Sequence, residues 1–425
     1  MSPGRSRTGA AGASRPLRIW IVNHYAVPPA EPGGTRHFHL ASELLVRGHQ
    51  VLVIASSFNH STLSETGREV VEDVEVADGV PFYRIRTPPY AGNGFARVRN
   101  MVSFAASVWR PHRFRSLPPP DVVVGSSPHL FGALGAERLA SALRVPFVLE
   151  VRDVWPESLV TVAGAHRWHP LVVALGLIER YLYRRASQVV SLLPRAVSHI
   201  EKLGGDATRV TWIPNGIDLS LLRGLSTETP KNSRFTVMYA GAHGQANALE
   251  SVLRAASILE EEGWGERVHF RLVGDGPEKV RLRALAEELG LSCVSFEDAV
   301  PKSRIHARLA EADAFIVTMR NTDLYRHGIS FNKLFDYLAL ARPIVFGSNS
   351  ANNPVADAGA GLTVEPENAR AMAEAVRELA GLGAAERAEM GARGRRFVES
   401  HHSFRILASR FEAALSAAVA EGARG

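Results

Sequence analysis

The chain has 425 residues, 46% of them hydrophobic and 22% charged, which is too long for one ordinary domain and apolar enough for two cores of roughly 150–200 residues each. That composition excludes collagen, a disulfide-framed miniprotein and wholesale disorder. Lys and Arg number 49 against 43 Asp and Glu, a formal charge of +6, and a modest basic excess suits three kinds of anionic partner: nucleic acid, a phosphate-bearing small molecule or an acidic membrane surface. The single cysteine, Cys293, forbids an intrachain disulfide and any cysteine-rich metal site, and it fits a reducing compartment. Residues 1–16 are small, basic and without an apolar centre, so they read as a disordered leader and not as a signal peptide. Apolar runs such as residues 171–178 fall far short of the roughly 20 residues a membrane span needs.

From Leu17 the run LRIWIVNHY predicts a buried parallel strand. A glycine-containing loop, AVPPAEPGGTR, enters a helix marked by Leu40, Leu44 and Leu45 and closed by Gly48, and QVLVIASS is a second strand. Strand, loop, helix, strand is a βαβ unit, whose right-handed crossover implies a parallel sheet. The pattern repeats with a strand at 121–127, a helix over LFGALGAERLASAL, a strand at 145–153, a helix over LVVALGLIERYLYRRA, then SQVVSLL and RVTWIPNGID. Polar, aperiodic sequence follows, so the first domain is placed at 17–220 and a linker at 221–234. Alternation restarts with FTVMYAGAHG and runs through RVHFRLVGDG, CVSFED, ADAFIVTM and RPIVFGS, giving a second domain at 235–402. Residues 403–425 are expected to form a helix that packs back toward the first domain. The expectation is an α/β fold of two Rossmann-like, doubly wound domains facing a central cleft.

Four places could carry chemistry. Gly33 and Gly34 follow the first strand, where an open α/β sheet meets its ligand, although a generic glycine turn explains them equally. Gly274 opens Gly274-Asp275-Gly276-Pro277, a loop for a phosphate-bearing ligand or a plain turn into a helix. In HGISFNKLFDY, Ser330 and Asn332 offer donors at a helix N-terminus, Lys333 adds a point charge, and Asp336 lies one turn on. That combination suits a nucleoside diphosphate, and an ordinary capped helix is the alternative. From Phe95 to Arg115 five arginines, Arg97, Arg99, Arg110, Arg113 and Arg115, surround an apolar stripe with no acid among them. The stripe fits an anionic membrane interface, or a basic helix packed on the sheet. Glu150, Arg152 and Asp153 end a strand and are expected to face the cleft. H-E-x-x-H, a Walker loop, a G-x-S-x-G elbow and clustered His/Asp metal spacing are all missing, and most of the sixteen histidines are expected at the surface. No aromatic stacking platform or recognition module accompanies the arginines, so nucleic acid is not expected as a partner.

Taken in order, PPxxPGGTRxxxLAxxLxxRGHxVxVxxSS, SSPH, EVRDVWPES, IPNGID, YAGxHG, VGDGP and NKLFDYLAxxRPIV resemble family 4 glycosyltransferases of the GT-B fold, from Leu17 to about Arg410. Within them the chain is similar to the subgroup that adds aminosugars, such as fucosamine, in O-antigen or capsule synthesis. The resemblance implies retaining transfer from a nucleotide-sugar donor, held by the second domain, to a lipid-linked or other glycan acceptor held by the first. It implies no metal and no cofactor, since the nucleotide sugar is a substrate. With the arginine stretch from Phe95 to Arg115 as its membrane contact, the chain is expected in the cytoplasm, peripherally associated with the inner face of the cytoplasmic membrane. By position Lys333 and Asp336 become the catalytic pair. Gly241, Gly274, Ser330, Asn332 and Phe296 join them at the donor, and Gly33, Gly34, Arg152 and Asp153 stand on the acceptor side. Three departures matter: the family's two glutamates fall on Gly328 and Asp336, its Arg and Lys on Ala242 and about Asn247, and a histidine found in many members on Ser126. An epimerase of the same fold and a non-catalytic donor-binding partner remain as alternatives.

Overall fold

The computed structural model describes residues 15–65, 73–92, 94–161, 164–225 and 232–423. Most of the expected leader, to position 14, lies outside the described residues, as does the middle of the expected linker, 226–231. The apolar runs become the strands of two large sheets. The first has eight strands in the spatial order 210–212, 188–191, 147–151, 122–126, 18–22, 50–56, 80–85 and 74–77. Its neighbours are parallel except for the antiparallel edge pair 74–77 and 80–85. The second has six, all parallel, in the order 294–297, 268–273, 235–240, 314–318, 344–347 and 361–364. Strand order reverses between 18–22 and 122–126 in one sheet and between 235–240 and 314–318 in the other. Ligand crevices of doubly wound sheets lie outside the carboxyl ends of the strands at such reversals.

The first sheet is covered on both faces, which is why its strands read as continuous apolar runs. Trp20, Val22 and Ile54 pack with Phe104, Val108 and Phe147 on one face. Ile19, Ile21 and Val53 pack with Leu40, Leu44, Leu407 and Phe411 on the other, as the two-residue strand period requires. Leu407 and Phe411 show the chain's return path, since both come from the terminal helix Phe404–Gly422. The crossing is stitched by Ile217 N donating to His402 O (3.0 Å) and Phe404 N donating to Ile217 O (3.1 Å). A Cβ on Gly216 would stand 2.1 Å from His402 O, so only glycine allows this approach.

Two expectations are corrected. Eight of the sixteen histidines are buried, among them His24, His129, His243 and His327; rings such as His129 and His24, 2.7 Å apart from Nε2 to Nδ1, satisfy each other inside the protein. Glu150 does not face the cleft. It is fully buried; its Oε1 accepts from Arg36 Nε (2.9 Å) and its Oε2 from Ser126 Oγ (2.5 Å), with His37 Nε2 2.6 Å from that same Oε2. Burial would raise its pKa, but Arg36 and then His37 hold it well below the usual carboxylate range.

Candidate functional site

On the second sheet, Gly241 and Gly274 follow the strands Phe235–Ala240 and Val268–Val273 with φ of +157° and +140°. A Cβ on Gly274 would lie 1.9 Å from Gly241 O, so the two loops stack backbone on backbone beside the strand reversal. The helix Asn332–Ala339 delivers Lys333 to the same place. It is anchored there by Tyr337, whose hydroxyl accepts from Ala240 N (2.6 Å) and donates to Ala240 O (2.9 Å). Lys333 Nζ donates to Tyr239 OH (2.9 Å) and Asn247 Oδ1 (2.6 Å) and lies 4.5 Å from the Tyr239 ring centroid. Both acceptors are neutral oxygens. Burial lowers the ammonium pKa to about 7, so the site holds a cation that it solvates without neutralising, which is the electrostatic condition for taking an anion.

His243, which the sequence reading did not single out, lies in the adjoining loop. It is fully buried, and among the described residues neither ring nitrogen has a hydrogen-bond partner. Its ring centroid is 6.0 Å from Tyr239 and 6.2 Å from Phe296. Burial, followed by the charge of Lys279, holds its pKa down to about 4. Phe296 lies in the strand Val294–Glu297 and also carries the Arg283 guanidinium 5.7 Å from its ring centroid. The sequence signal for His243 is its place in YAGxHG, three residues past a strand end.

Ser330 faces the first half of the molecule. Its Oγ accepts from Asn215 N (2.6 Å) and its carbonyl from Asn215 Nδ2 (2.6 Å), so its hydroxyl is a junction between halves. Phe331 occupies the N-cap and has no side-chain acceptor, leaving first-turn amides of the helix for another acceptor. Its ring packs edge-on against Tyr325 at 6.1 Å. Asn332 is exposed at the helix start. Asp336 diverges from Lys333: its Oδ1 is 3.1 Å from His306 Nε2, and it lines a cleft cavity of about 370 Å³ with Gly33, Lys302 and Asn332. Lys302 Nζ spans that cleft, donating to Glu31 O (3.1 Å) and to Gly33 O, and burial lowers its pKa to about 8.

On the first half, Gly33 has φ +139°, and a Cβ on Gly34 would meet Arg152 Nη2 at 3.7 Å. Both glycines, with Tyr25, Arg97, Arg152 and Asp153, line a cavity of about 260 Å³. Arg152 and Asp153 also line a second cavity of about 260 Å³ that reaches Gly328, Ser330 and Asn332 of the other half. Asp153 is exposed in the cleft; the surrounding protein still desolvates its carboxyl and raises its pKa, and Arg152 partly opposes the shift. The structure therefore brings Arg152 and Asp153 together with Gly33 and Gly34 on one side and with Ser330 and Asn332 on the other. Lys333, Gly241 and Gly274 form a neighbouring group.

The segment from Phe95 to Arg115 divides its apolar stripe. Met101, Phe104 and Val108 of the helix Phe95–Val108 are buried under the sheet. Phe95, Val102 and Trp109 are 82%, 44% and 57% exposed, and their seven-residue spacing puts them along one line of the helix surface. Arg99, Arg110 and Arg115 are exposed around them, while Arg97 is half-buried at the first-half cavity.

Residues 33–216 match the model of a glycosyl transferase 4-like domain and residues 234–381 that of glycosyl transferases group 1. A protein of Escherichia coli K12 named as a colanic acid biosynthesis glycosyl transferase, WcaI, is 23% identical over 298 residues, covering 66% of this chain and 72% of that protein. Sucrose-phosphate synthase of Thermosynechococcus elongatus has a similar fold, with a TM-score of 0.71 at 14% identity over 93% of this chain and 98% of its own. HepE of Anabaena in complex with UDP-glucose has a TM-score of 0.64 at 14% identity, covering 94% of this chain and 99% of its own.

Proposed function

Since the chain belongs to the family 4 glycosyltransferases of the GT-B fold, we propose that it transfers an aminosugar from a UDP-linked donor to a lipid-linked glycan. The setting is bacterial surface polysaccharide synthesis, of the O-antigen or capsule kind. The observation that carries this reading is Lys333: an ammonium held by Tyr239 OH and Asn247 Oδ1, with its pKa lowered to about 7, behind two glycine loops that let a ligand approach the backbone. The colanic acid biosynthesis for which WcaI is named and the UDP-glucose held by HepE support it.

In the transfer, the bond from the sugar's anomeric carbon to the β-phosphate oxygen breaks and a bond to the acceptor hydroxyl forms on the same face, so configuration is retained. The departing phosphate takes the acceptor's proton. The barrier falls by stabilising negative charge that grows on the diphosphate, a task for Lys333 and the first-turn amides of the helix Asn332–Ala339, with no metal in the reaction. Asp336 is assigned to the donor, Arg152 and Asp153 with Gly33 and Gly34 to the acceptor. Phe95, Val102 and Trp109, ringed by arginines, would rest on the anionic inner face of the cytoplasmic membrane.

A thermal-shift screen against nucleotides and nucleotide sugars identifies the donor, because a ligand of the folded state raises its apparent stability. With that donor and a polyprenyl-diphosphate sugar acceptor, transfer with retained anomeric configuration is expected, and Lys333→Ala should lower turnover at least about tenfold, roughly 1.4 kcal/mol. Conversion of donor alone to an epimer would replace this reading with an epimerase, and donor binding without transfer to any lipid-linked acceptor would replace it with a non-catalytic partner.

A further inference from the structure

Where the two halves meet, three metal-competent side chains converge from separate elements. A carboxylate oxygen of Glu157 and one ring nitrogen from each of His199 and His327 all lie within 4.8 Å of one another. Glu157 opens the helix Glu157–Thr161 and His199 lies on the helix Val197–Lys202, both in the first half. His327 ends the 3-10 turn Asp323–His327 in the second half. The imidazole centroids are 5.5 Å apart, and His327 is buried.

We propose that Glu157, His199 and His327 bind a divalent transition-metal cation of the zinc class, which ties the two halves together. Two imidazoles and one carboxylate are a ligand set that such ions take, leaving a fourth position for water, whereas magnesium and calcium select all-oxygen sites. The carboxylates are held in place by neighbours. Arg326 Nη2 donates to Glu157 Oε1 (2.7 Å), which leaves Oε2 facing His327 Nε2 at 3.2 Å. Glu179, itself fixed by Tyr183 OH (2.9 Å), stands 2.9 Å from His199 Nε2 and adds a second carboxylate beside the ion. His327 also receives Arg195 N on its carbonyl (3.0 Å), a second bond between the halves. Gly328 follows directly, and the stretch from Gly328 to Asn332 lines the cavity that holds Arg152 and Asp153. An ion here fixes how the halves enclose that cavity, takes no part in bond breaking, and is independent of the glycosyl-transfer reading.

The full chain, stripped with a chelator and dialysed, is titrated with zinc chloride by calorimetry and with cobalt chloride by visible absorption. The expected result is about one equivalent bound, an intense tetrahedral cobalt band, and a zinc-dependent rise in the thermal midpoint. His199→Ala and His327→Ala should each weaken zinc binding at least about tenfold and abolish the rise. Absence of saturable binding, or binding that both variants retain at full strength, overturns the proposal. Should an alanine variant fail to fold, the wild-type cobalt spectrum decides, and the weak bands of an octahedral aqua-like ion count against the site.

Discussion

Position 328, where the family has a glutamate, is occupied by a glycine that nothing larger can replace. Its φ is +105°, and a Cβ would stand 2.4 Å from Pro194 Cδ and 2.8 Å from Asn352 Oδ1. Gly328→Ala is therefore expected to cost about 1–3 kcal/mol in denaturant unfolding, through strain and overpacking combined, and a glutamate there would restore no carboxylate to the site. Asn247, near the position of the family's lysine, offers its Oδ1 to Lys333 Nζ. Asp153 offers a test of its own: Asp153→Asn should lower transfer to the acceptor while donor affinity stays unchanged, and unchanged transfer would remove it from the acceptor side.

At the scale of elements, the helix Phe95–Val108 explains why an apolar stripe in sequence was ambiguous. Positions 101, 104 and 108 serve the core, and positions 95, 102 and 109 do not. Both sets are apolar, and only the packed sheet separates them. Phe95→Ser combined with Trp109→Ser is expected to abolish sedimentation with anionic vesicles without lowering the thermal midpoint, and added salt should weaken the wild-type association; vesicle binding that survives both changes would place the contact elsewhere. The terminal helix is an element of the first half despite its position in the chain, with Leu407 fully buried in that core. Leu407→Ala should cost about 2–5 kcal/mol, seen as early unfolding of the first half in hydrogen exchange. The edge hairpin of strands 74–77 and 80–85 went unread although its signal was present: Asp78-Gly79, with φ of +47° and +82°, joins it through the residue pair that such turns favour.

Across the whole molecule, the central strands of both sheets were legible because each is buried on two faces and so reads as a run of Val, Ile and Leu, whereas the partly buried edge strands 74–77 and 361–364, and 80–85 beside the first of them, were not read. The glycines at strand ends were legible for the same reason, since sheet topology fixes where ligands go. Pairings between distant segments were not. Glu150 looked like a cleft acid until Arg36 and His37, more than a hundred positions earlier, closed around it. His199 and His327 met only through the docking of two halves. Lys302 likewise reaches across to the loop at Glu31 and Gly33, a contact no local pattern encodes. The central claim, a diphosphate site built on Lys333, is tested most directly by calorimetric titration of the chain with UDP at pH 8, in two buffers of different ionisation enthalpy. With a free pKa of about 7, Lys333 is mostly neutral at that pH and becomes charged against a diphosphate, so binding should take up close to one proton. Lys333→Ala should abolish that uptake and weaken binding at least about tenfold, roughly 1.4 kcal/mol. Equal affinity in both proteins, with no proton taken up by either, would contradict the account.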